Sequence, residues 1–290
     1  MAIRGYHLGC PAWGLPAWRG TLLRRDDETS ALSQYASVFN TVEGNTTFYA
    51  LPSEGTVARW AEQSPDDFRF CFKFPRTITH DLQLEGAEAV TEQFLDLLSP
   101  LAPKLGPLML QLPPSFGPQR LDRLAAFLDR LPPRHDYAVE VRHESLFDGG
   151  EAEVRLERLL RDRGVEWVTL DTRGLFSASR DDRHVAAAQS RKPCLPVRAR
   201  ALGSHPIVRF VPHPDFAQNL RLIDGWRAAL RNWLDAGRKP YFFMHAPHDR
   251  DAPELARRFH VYLRDAGLVV GRMPAWPGET LVDDDQLGLF

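Results

Sequence analysis

The chain has 290 residues, and its 36 Lys and Arg residues against 38 Asp and Glu residues give a formal net charge of −2. A hydrophobic share of 43% and a charged share of 26% exclude a disordered or fibrous chain. The sequence contains no apolar run of membrane-spanning length, no secretory signal and no paired-cysteine pattern among its three cysteines, so we expect a cytoplasmic protein without membrane contact.

Eight short runs rich in β-branched and aromatic residues predict eight strands. In chain order these are His7–Cys10, Val38–Asn45, Phe68–Lys73, Leu108–Leu112, Tyr137–Val141, Glu166–Asp171, Ile207–Val211 and Tyr241–His245. Between most of them, apolar residues recur at helical spacing, as in Leu222, Trp226, Leu230 and Trp233. Alternating strands and helices predict an α/β fold with a parallel sheet. Eight units favour a single-domain (β/α)8 TIM barrel over an open doubly wound sheet, because no GxGxxG follows the first strand.

Two segments depart from this alternation. Residues 172–206 show no clear amphipathic helix and carry an excess of Lys and Arg, so we predict a long basic loop that could hold nucleic-acid phosphates. The last twenty residues contain Pro, Gly and a run of Asp, which predicts a flexible tail. The expected division is therefore a barrel domain at 1–270 and a tail at 271–290.

Polar side chains lie at the carboxyl ends of the predicted strands, where parallel barrels place their catalytic groups. We assign acid and base roles to Glu43 and Glu140, because different surroundings can separate the pKa values of two carboxyls. Lys73 is a candidate base or Schiff-base nucleophile, and Asp171 completes the catalytic set. The candidate substrate-binding residues are Asn45, Tyr49, His80, Gln111, Arg142, Arg209 and His245.

The acidic and basic members of this set balance in charge, which favours acid/base chemistry or an anionic substrate over a metal centre. The alternative is a closed ion-pair network that seals the barrel end. No cofactor is required and no metal ligand is assigned, although histidines such as His213 and His248 leave a divalent metal open. Aromatic residues just past the strands, among them Phe48 and Tyr49, either stack on a base or sugar or cover the barrel mouth.

These residues resemble those of the YecE-like family, also called domain of unknown function 72. The resemblance covers about residues 5–265 and rests on Gly9–Trp13 (GCPAW), Phe39–Tyr49 (FNTVEGNTTFY), Lys73 with Thr79 and His80, Gln111–Phe116 (QLPPSF), Val139–Arg142 (VEVR) and Asp171. It implies a TIM-barrel fold and no particular reaction. The chain departs from the family pattern after the seventh and eighth strands, where Arg209 leads to His213, and His245 stands in place of a paired Asn.

The tail carries a second resemblance. Gln286–Phe290 (QLGLF) is similar to the pentapeptide by which bacterial replication and repair proteins bind the sliding DNA clamp. Gln286 would supply hydrogen bonds, and three apolar side chains would enter a pocket of the clamp: Leu287, Leu289 and Phe290. The alternative is that these apolar residues fold back onto the barrel.

Three functions follow as hypotheses. The first is a hydrolase-type enzyme that acts on nucleic acid and is tethered to the sliding clamp. The second is an isomerase, lyase or hydrolase for a phosphorylated or sugar-like small molecule, which predicts a narrow site at the strand ends. The third is a non-catalytic partner of the clamp. Fold alone does not choose among them.

Overall fold

The computed structural model describes residues 3–25 and 29–279. The strands within these ranges are β1 (His7–Gly9), β2 (Thr41–Gly44), β3 (Arg69–Phe72), β4 (Leu108–Gln111), β5 (Tyr137–Glu140), β6 (Glu166–Trp167), β7 (Thr169–Asp171), β8 (Ile207–Phe210) and β9 (Tyr241–Met244). The α-helices are α1 (Ala31–Ala36), α2 (Thr46–Tyr49), α3 (Glu54–Gln63), α4 (Glu88–Leu97), α5 (Leu121–Arg130), α6 (Glu151–Asp162), α7 (Arg173–Ser177), α8 (Arg183–Arg191), α9 (Leu220–Asp235) and α10 (Ala252–Asp265).

The strands pair in parallel, in the groups β1-β9-β8-β7, β2-β3 and β4-β5-β6. Backbone hydrogen bonds continue from one group to the next. The Glu43 N–H donates to the Cys10 carbonyl at 3.1 Å, and the Phe74 N–H donates to the Met109 carbonyl at 2.9 Å. Only Val168 separates β6 from β7, so the two are one interrupted strand. The result is a ring of eight strands in chain order, and the predicted α/β fold with parallel strands is confirmed.

Strand side chains alternate between the inside of the ring and the helical layer outside it. Seven buried side chains form a cluster of their own inside the ring: Cys71, Met109, Ala138, Val168, Ile207, Tyr241 and Phe243. The alternate positions, such as Val42 and Phe70, join the larger apolar core. Gly9 lets β1 and β2 approach closely, because a Cβ there would lie 2.1 Å from the Thr41 carbonyl oxygen.

The helices in residues 172–206 correct one expectation, because α7 and α8 occupy part of the segment predicted as a loop. The side chain of Asp182 caps α8 by accepting hydrogen bonds from the His184 and Val185 N–H groups. On α8 the buried apolar side chains are only Val185 and Ala188. Such small residues give a weak apolar stripe in the sequence, so the helical spacing of apolar residues does not predict this helix.

The first part of the predicted tail packs on the barrel. Trp276 is buried, and the Arg257 guanidinium lies 3.9 Å from the centre of its ring. Arg257 also forms an ion pair with Glu279 at 2.9 Å. Residues 271–279 therefore belong to the body of the molecule, and the rest of the tail, including Gln286–Phe290, lies outside the described residues. No helix in the described part of the chain is both long enough and apolar enough to cross a membrane.

Candidate active site

Strand alternation brings a set of charged side chains to the carboxyl end of the ring. Glu43 pairs in register with Cys71, whose side chain lies inside the ring, so Glu43 points inward as well. Lys73 is two residues past Cys71 and shares its orientation. The same spacing places Gln111 after Met109, Glu140 after Ala138, Arg209 after Ile207 and His245 after Phe243. We call Glu43, Lys73, Gln111, Glu140, Arg142, Arg209 and His245 the mouth cluster.

Arg209 links the two carboxylates of the mouth cluster. Its Nε and Nη2 donate to the two oxygens of Glu43 at 2.8 and 2.7 Å, which is a bidentate pair. Its Nη1 donates to Glu140. All three side chains are buried, so the ionic contacts are shielded from water. Arg209 therefore acts as the fixed centre of the cluster and has no nitrogen without a carboxylate partner.

Lys73 is held by two acceptors. Its Nζ donates to Gln111 Oε1 at 2.9 Å and lies 3.2 Å from Glu43 Oε1. Glu43 Oε2 also contacts His245 Nε2 at 3.0 Å. On the other side of Arg209, the Arg142 Nε donates to Glu140 Oε1 at 2.7 Å. The seven residues of the mouth cluster thus form one continuous network.

Both carboxyls of the network are ionised. Burial alone would raise the pKa of Glu43, but the charges of Arg209 and Lys73 hold it well below its ordinary value. Burial opposes ionisation of Glu140 as well, yet Arg209 and Arg142 lower its pKa to about 2. The expectation that the two pKa values separate into an acid and a base is therefore corrected, because the same arginine stabilises both carboxylates.

Two nitrogen-containing side chains of the cluster, Lys73 and His245, have pKa values nearer to neutrality than the two carboxyls. Burial, reinforced by the charge of Arg209, lowers the pKa of Lys73 to about 8, although Glu43 and Glu140 oppose this shift. Burial lowers the pKa of His245 to about 4 against the opposing effect of Glu43. At neutral pH the imidazole is therefore neutral, and Lys73 is the cluster member with a pKa nearest neutrality.

Lys192 is a cation close to the mouth cluster that does not lie at the end of a predicted strand. It directly follows α8, and burial together with the charge of Arg209 lowers its pKa to about 8, with Glu43 as an opposing influence. Among the described residues its amine has no ion-pair partner. Nothing in its local sequence marks it, since it precedes Pro193 far from any strand end.

Asp171 is not brought into the mouth cluster. In register Leu170 pairs with Arg209, so Leu170 occupies the inward position and Asp171 points outward. The Asp171 carboxylate instead accepts hydrogen bonds from Trp226 Nε1 at 2.8 Å and from the Arg173 backbone and side chain. With Asp171 outside and Lys192 added, four described cations stand against Glu43, Glu140 and Asp249, whose charge acts on Lys192, so the expected charge balance is replaced by a cationic excess.

The remaining predicted binding residues lie at the rim. Asn45 donates to the Pro11 carbonyl at 2.9 Å and ties the turn after β2 to the one after β1. Tyr49 and His80 flank Phe48, and each ring centre lies 5.1 Å from the Phe48 ring centre. Lys73 Nζ is 6.0 Å from that same centre. Tyr49 and His80 therefore stand beside the cluster without bonding to it.

Residues 3–25 and 29–279 contain no group of three or more His, Cys, Asp or Glu side chains placed to hold a metal ion. The ring nitrogens of two of the histidines considered above serve local turns. His213 Nδ1 accepts from the Asp215 N–H, and His248 Nδ1 accepts from the Arg250 N–H.

The basic segment 172–206 is partly neutralised by helix α6. Arg198 pairs with Glu153 at 2.6 Å, and Arg200 pairs with both Glu153 and Glu157, at 2.8 and 2.9 Å. These arginines therefore anchor the segment to the barrel and are not free to bind phosphates along a nucleic acid.

Comparison with known proteins agrees with this architecture. The family model described as "Protein of unknown function DUF72" matches residues 7–279. The chain belongs to the DUF72 family. It is 42% identical over 274 residues to the "UPF0759 protein YecE" of Escherichia coli O157:H7 and of strain K12, covering 94% of this chain and 98% of each relative. The family resemblance inferred from the sequence is thereby confirmed.

Two solved structures share the fold. A DUF72 family protein from Enterococcus faecalis V583 superposes with a TM-score of 0.67 at 18% identity, covering 89% of this chain and 95% of that one. A second, from Thermotoga maritima MSB8, gives a TM-score of 0.66 at 20% identity, covering 89% and 99%. At these identities the likeness concerns the fold alone.

Proposed function

We propose that the mouth of the barrel is an enzyme active site. It binds the phosphate group of a small substrate and transfers a proton to or from that substrate. The observation that carries the proposal is the cationic excess of the cluster: among the described residues Lys73, Arg142, Arg209 and Lys192 face the carboxylates Glu43 and Glu140, with Asp249 as a third carboxylate that acts on Lys192. A phosphate group supplies the missing negative charge, and guanidinium and ammonium groups are its usual partners in proteins.

Two of the cations are available to such a group. Arg142 uses its Nε for Glu140, and its side chain keeps 16% of its surface exposed. The Lys192 amine has no carboxylate partner among the described residues. Arg209 is committed to Glu43 and Glu140, so its role is to hold the network in place. Arg142 and Lys192 are therefore the proposed phosphate ligands.

Lys73 is the proposed proton-transfer group. With a pKa of about 8, its amine loses a proton near neutral pH much more readily than an ordinary lysine, which is almost wholly protonated there. Glu43 and Gln111 fix the position of the amine, which is the requirement for general acid/base catalysis. The reaction class includes hydrolysis of a phosphate ester, isomerisation and elimination.

The burial of the cluster favours a small substrate over nucleic acid. The Lys73 side chain is 7% exposed and the Arg209 side chain 4% exposed. A terminal phosphate on a small molecule can approach such recessed groups. The internal phosphates of a duplex cannot, because the double helix is too wide to enter the recess. Pairing of Arg198 and Arg200 with α6 also removes part of the expected nucleic-acid surface.

The test is calorimetric titration of the full chain with inorganic phosphate and ribose 5-phosphate, followed by a turnover screen with phosphorylated small molecules. Arg142→Gln and Lys192→Gln should each weaken binding roughly tenfold, the usual order for loss of one charge-assisted hydrogen bond. Lys239→Gln is the matched control, because Lys239 lies two residues before β9, at the opposite end of the ring. Equal weakening in all three variants, or no binding by the wild type, would contradict the proposal.

We also propose that Gln286–Phe290 binds the sliding DNA clamp, on the evidence of the sequence QLGLF at the end of a Pro-, Gly- and Asp-containing segment. Surface plasmon resonance with immobilised bacterial clamp tests this. Leu289→Ala with Phe290→Ala should abolish binding of the full chain, whereas Asp284→Ala in the same tail should not. Binding that survives the double substitution, or no wild-type binding, would reject a clamp partner and leave the active-site proposal unaffected.

A further inference from the structure

An aromatic surface adjoins the mouth cluster. We define the aromatic ledge as the side chains of Phe48, Tyr49 and His80. Tyr49 and His80 each pack edge-on against Phe48, with interplanar angles of 89° and 83°. Phe48 is in turn 6.0 Å from Lys73 Nζ. Two short contacts therefore connect the proposed proton-transfer group to the outermost ring of the ledge.

Tyr49 is fixed in position although it is exposed. It ends helix α2, which is anchored because the Thr47 hydroxyl donates to the Lys73 carbonyl at 2.7 Å. The Tyr49 side chain is nevertheless 80% exposed, the largest fraction among the big apolar or aromatic residues of the described part of the chain. An exposed aromatic ring on an anchored helix offers an open face on which a ligand can stack, and the ring has only two rotatable side-chain angles to fix.

His80 adds a polar edge to the ledge. It lies in a π-helical turn, Thr77–Asp81, followed by two non-glycine residues with positive φ, Gln83 and Leu84. Such turns and strained residues occur often at functional sites. The Thr79 hydroxyl bonds to His80 Nδ1 at 2.9 Å, while Nε2 has no hydrogen-bond partner within the described ranges. His80 therefore offers a ring face and its Nε2 nitrogen to a ligand that stacks on Tyr49.

We infer that the ligand of this site is a nucleoside 5′-phosphate, with its phosphate on Arg142 and Lys192 and its base stacked on Tyr49. This inference rests on the proposed function, because it takes the phosphate position from it. A plain sugar phosphate fills the cationic part and leaves the ledge unused. An unsubstituted aryl phosphate has no group for His80 Nε2, whereas a ribose hydroxyl or a base edge does. A flat base joined to a phosphate through a sugar matches the two cations, the exposed Tyr49 ring and the unbonded His80 Nε2.

The experiment compares two ligands that share one phosphate arrangement. The full chain is titrated with AMP and with ribose 5-phosphate, and AMP should bind about tenfold more tightly, which is the order of a single base-aromatic stack. Tyr49→Ala should remove that advantage and leave ribose 5-phosphate unchanged, whereas Tyr49→Phe should keep it. Because Tyr49 is exposed, these substitutions leave the packing of the barrel intact, which a thermal melt verifies.

A 5′-phosphorylated trinucleotide identifies the source of the nucleotide. Tight binding of AMP alone indicates a free mononucleotide, and tight binding of the trinucleotide with the same dependence on Tyr49 indicates a strand end; either supports the inference. Equal affinity for AMP and ribose 5-phosphate, or an AMP advantage that survives Tyr49→Ala, overturns it while leaving phosphate binding in place. Failure of every phosphorylated ligand overturns the proposed function as well.

Discussion

Two carboxylates, Glu43 and Asp171, lie at strand ends of the same ring, and both are fully buried. Glu43 meets Arg209, Lys73 and His245 inside the ring. Asp171 meets Trp226 and Arg173 on the side of the helices. Both are buried and both lie near the carboxyl end of a strand, so the difference in surroundings comes from which face of the strand each residue occupies. One carboxylate belongs to a charged network, and the other fastens a helix to a strand.

The largest effect should come from removing the charge of each carboxylate in turn. Glu43→Gln leaves the Arg209 and Lys73 charges without their main counter-ion, and we expect a loss of about 3–5 kcal/mol in the free energy of unfolding. Asp171→Asn keeps an acceptor for Trp226 and loses only the pair with half-exposed Arg173, so a loss of about 1 kcal/mol is expected. Urea unfolding measures both, and equal losses would remove the distinction between the two sites.

Lys73→Met should abolish most turnover of any phosphorylated substrate found, by a factor of about 10²–10⁴, because the proton-transfer group is lost. Phosphate affinity should change far less, since Arg142 and Lys192 remain. Lys104→Met is the matched control: Lys104 is also mostly buried, but its amine donates to the Ala61 and Ser64 carbonyls. A Lys73→Met enzyme with wild-type kcat would show that Lys73 is only structural.

His245 makes the stability of the inner site depend on pH in the acidic range. Its pKa is about 4 in the folded chain and about 6.5 when unfolded. Between these values the unfolded chain binds the additional proton, so stability falls as the pH falls from 6.5 to 4. His245→Asn should reduce the slope of the free energy of unfolding in this window by about 1.4 kcal/mol per pH unit. A slope equal to that of the wild type would contradict a buried neutral imidazole.

The smallest expected effect is a shift of the pH profile. The charge of Arg142 is one of the influences that lower the pKa of Lys73, so Arg142→Gln should raise that pKa. If neutral Lys73 acts as the base, kcat/KM rises with pH up to about 8, and this limb should move to higher pH in the variant. A limb that stays in place or moves to lower pH would assign the ionisation to another group.

Sequence alone predicts most of the mouth cluster because parallel strands end on one side of a ring. All eight strand positions were predicted, and Glu43, Lys73, Gln111, Glu140, Arg142, Arg209 and His245 converge as expected. Asp171 was included because it is the last polar residue of its strand. The register of β7 with β8 places Leu170 on the inner face, and that register is set by pairing across the sheet, which local sequence does not specify.

The sequence around Lys192 does not indicate its position beside the mouth cluster either. Lys192 reaches the mouth because α8 packs against Leu175 and Val211 and ends there. That helix is anchored by small apolar side chains whose pattern is weak, so neither the helix nor the lysine at its end could be positioned from the sequence. The net positive charge at the mouth depends on the outward position of Asp171 and on the position of Lys192. The proposal of an anionic ligand depends on the same two details.

The most direct test of the account is a crystal structure of the full chain with phosphate at saturating concentration. The account predicts one phosphate at the carboxyl end of the ring, within hydrogen-bond distance of Arg142 and Lys192 and facing the Lys73 amine. Phosphate found only elsewhere on the molecule, with the mouth cluster filled by water, would contradict the claim that this cationic network is built to bind an anion.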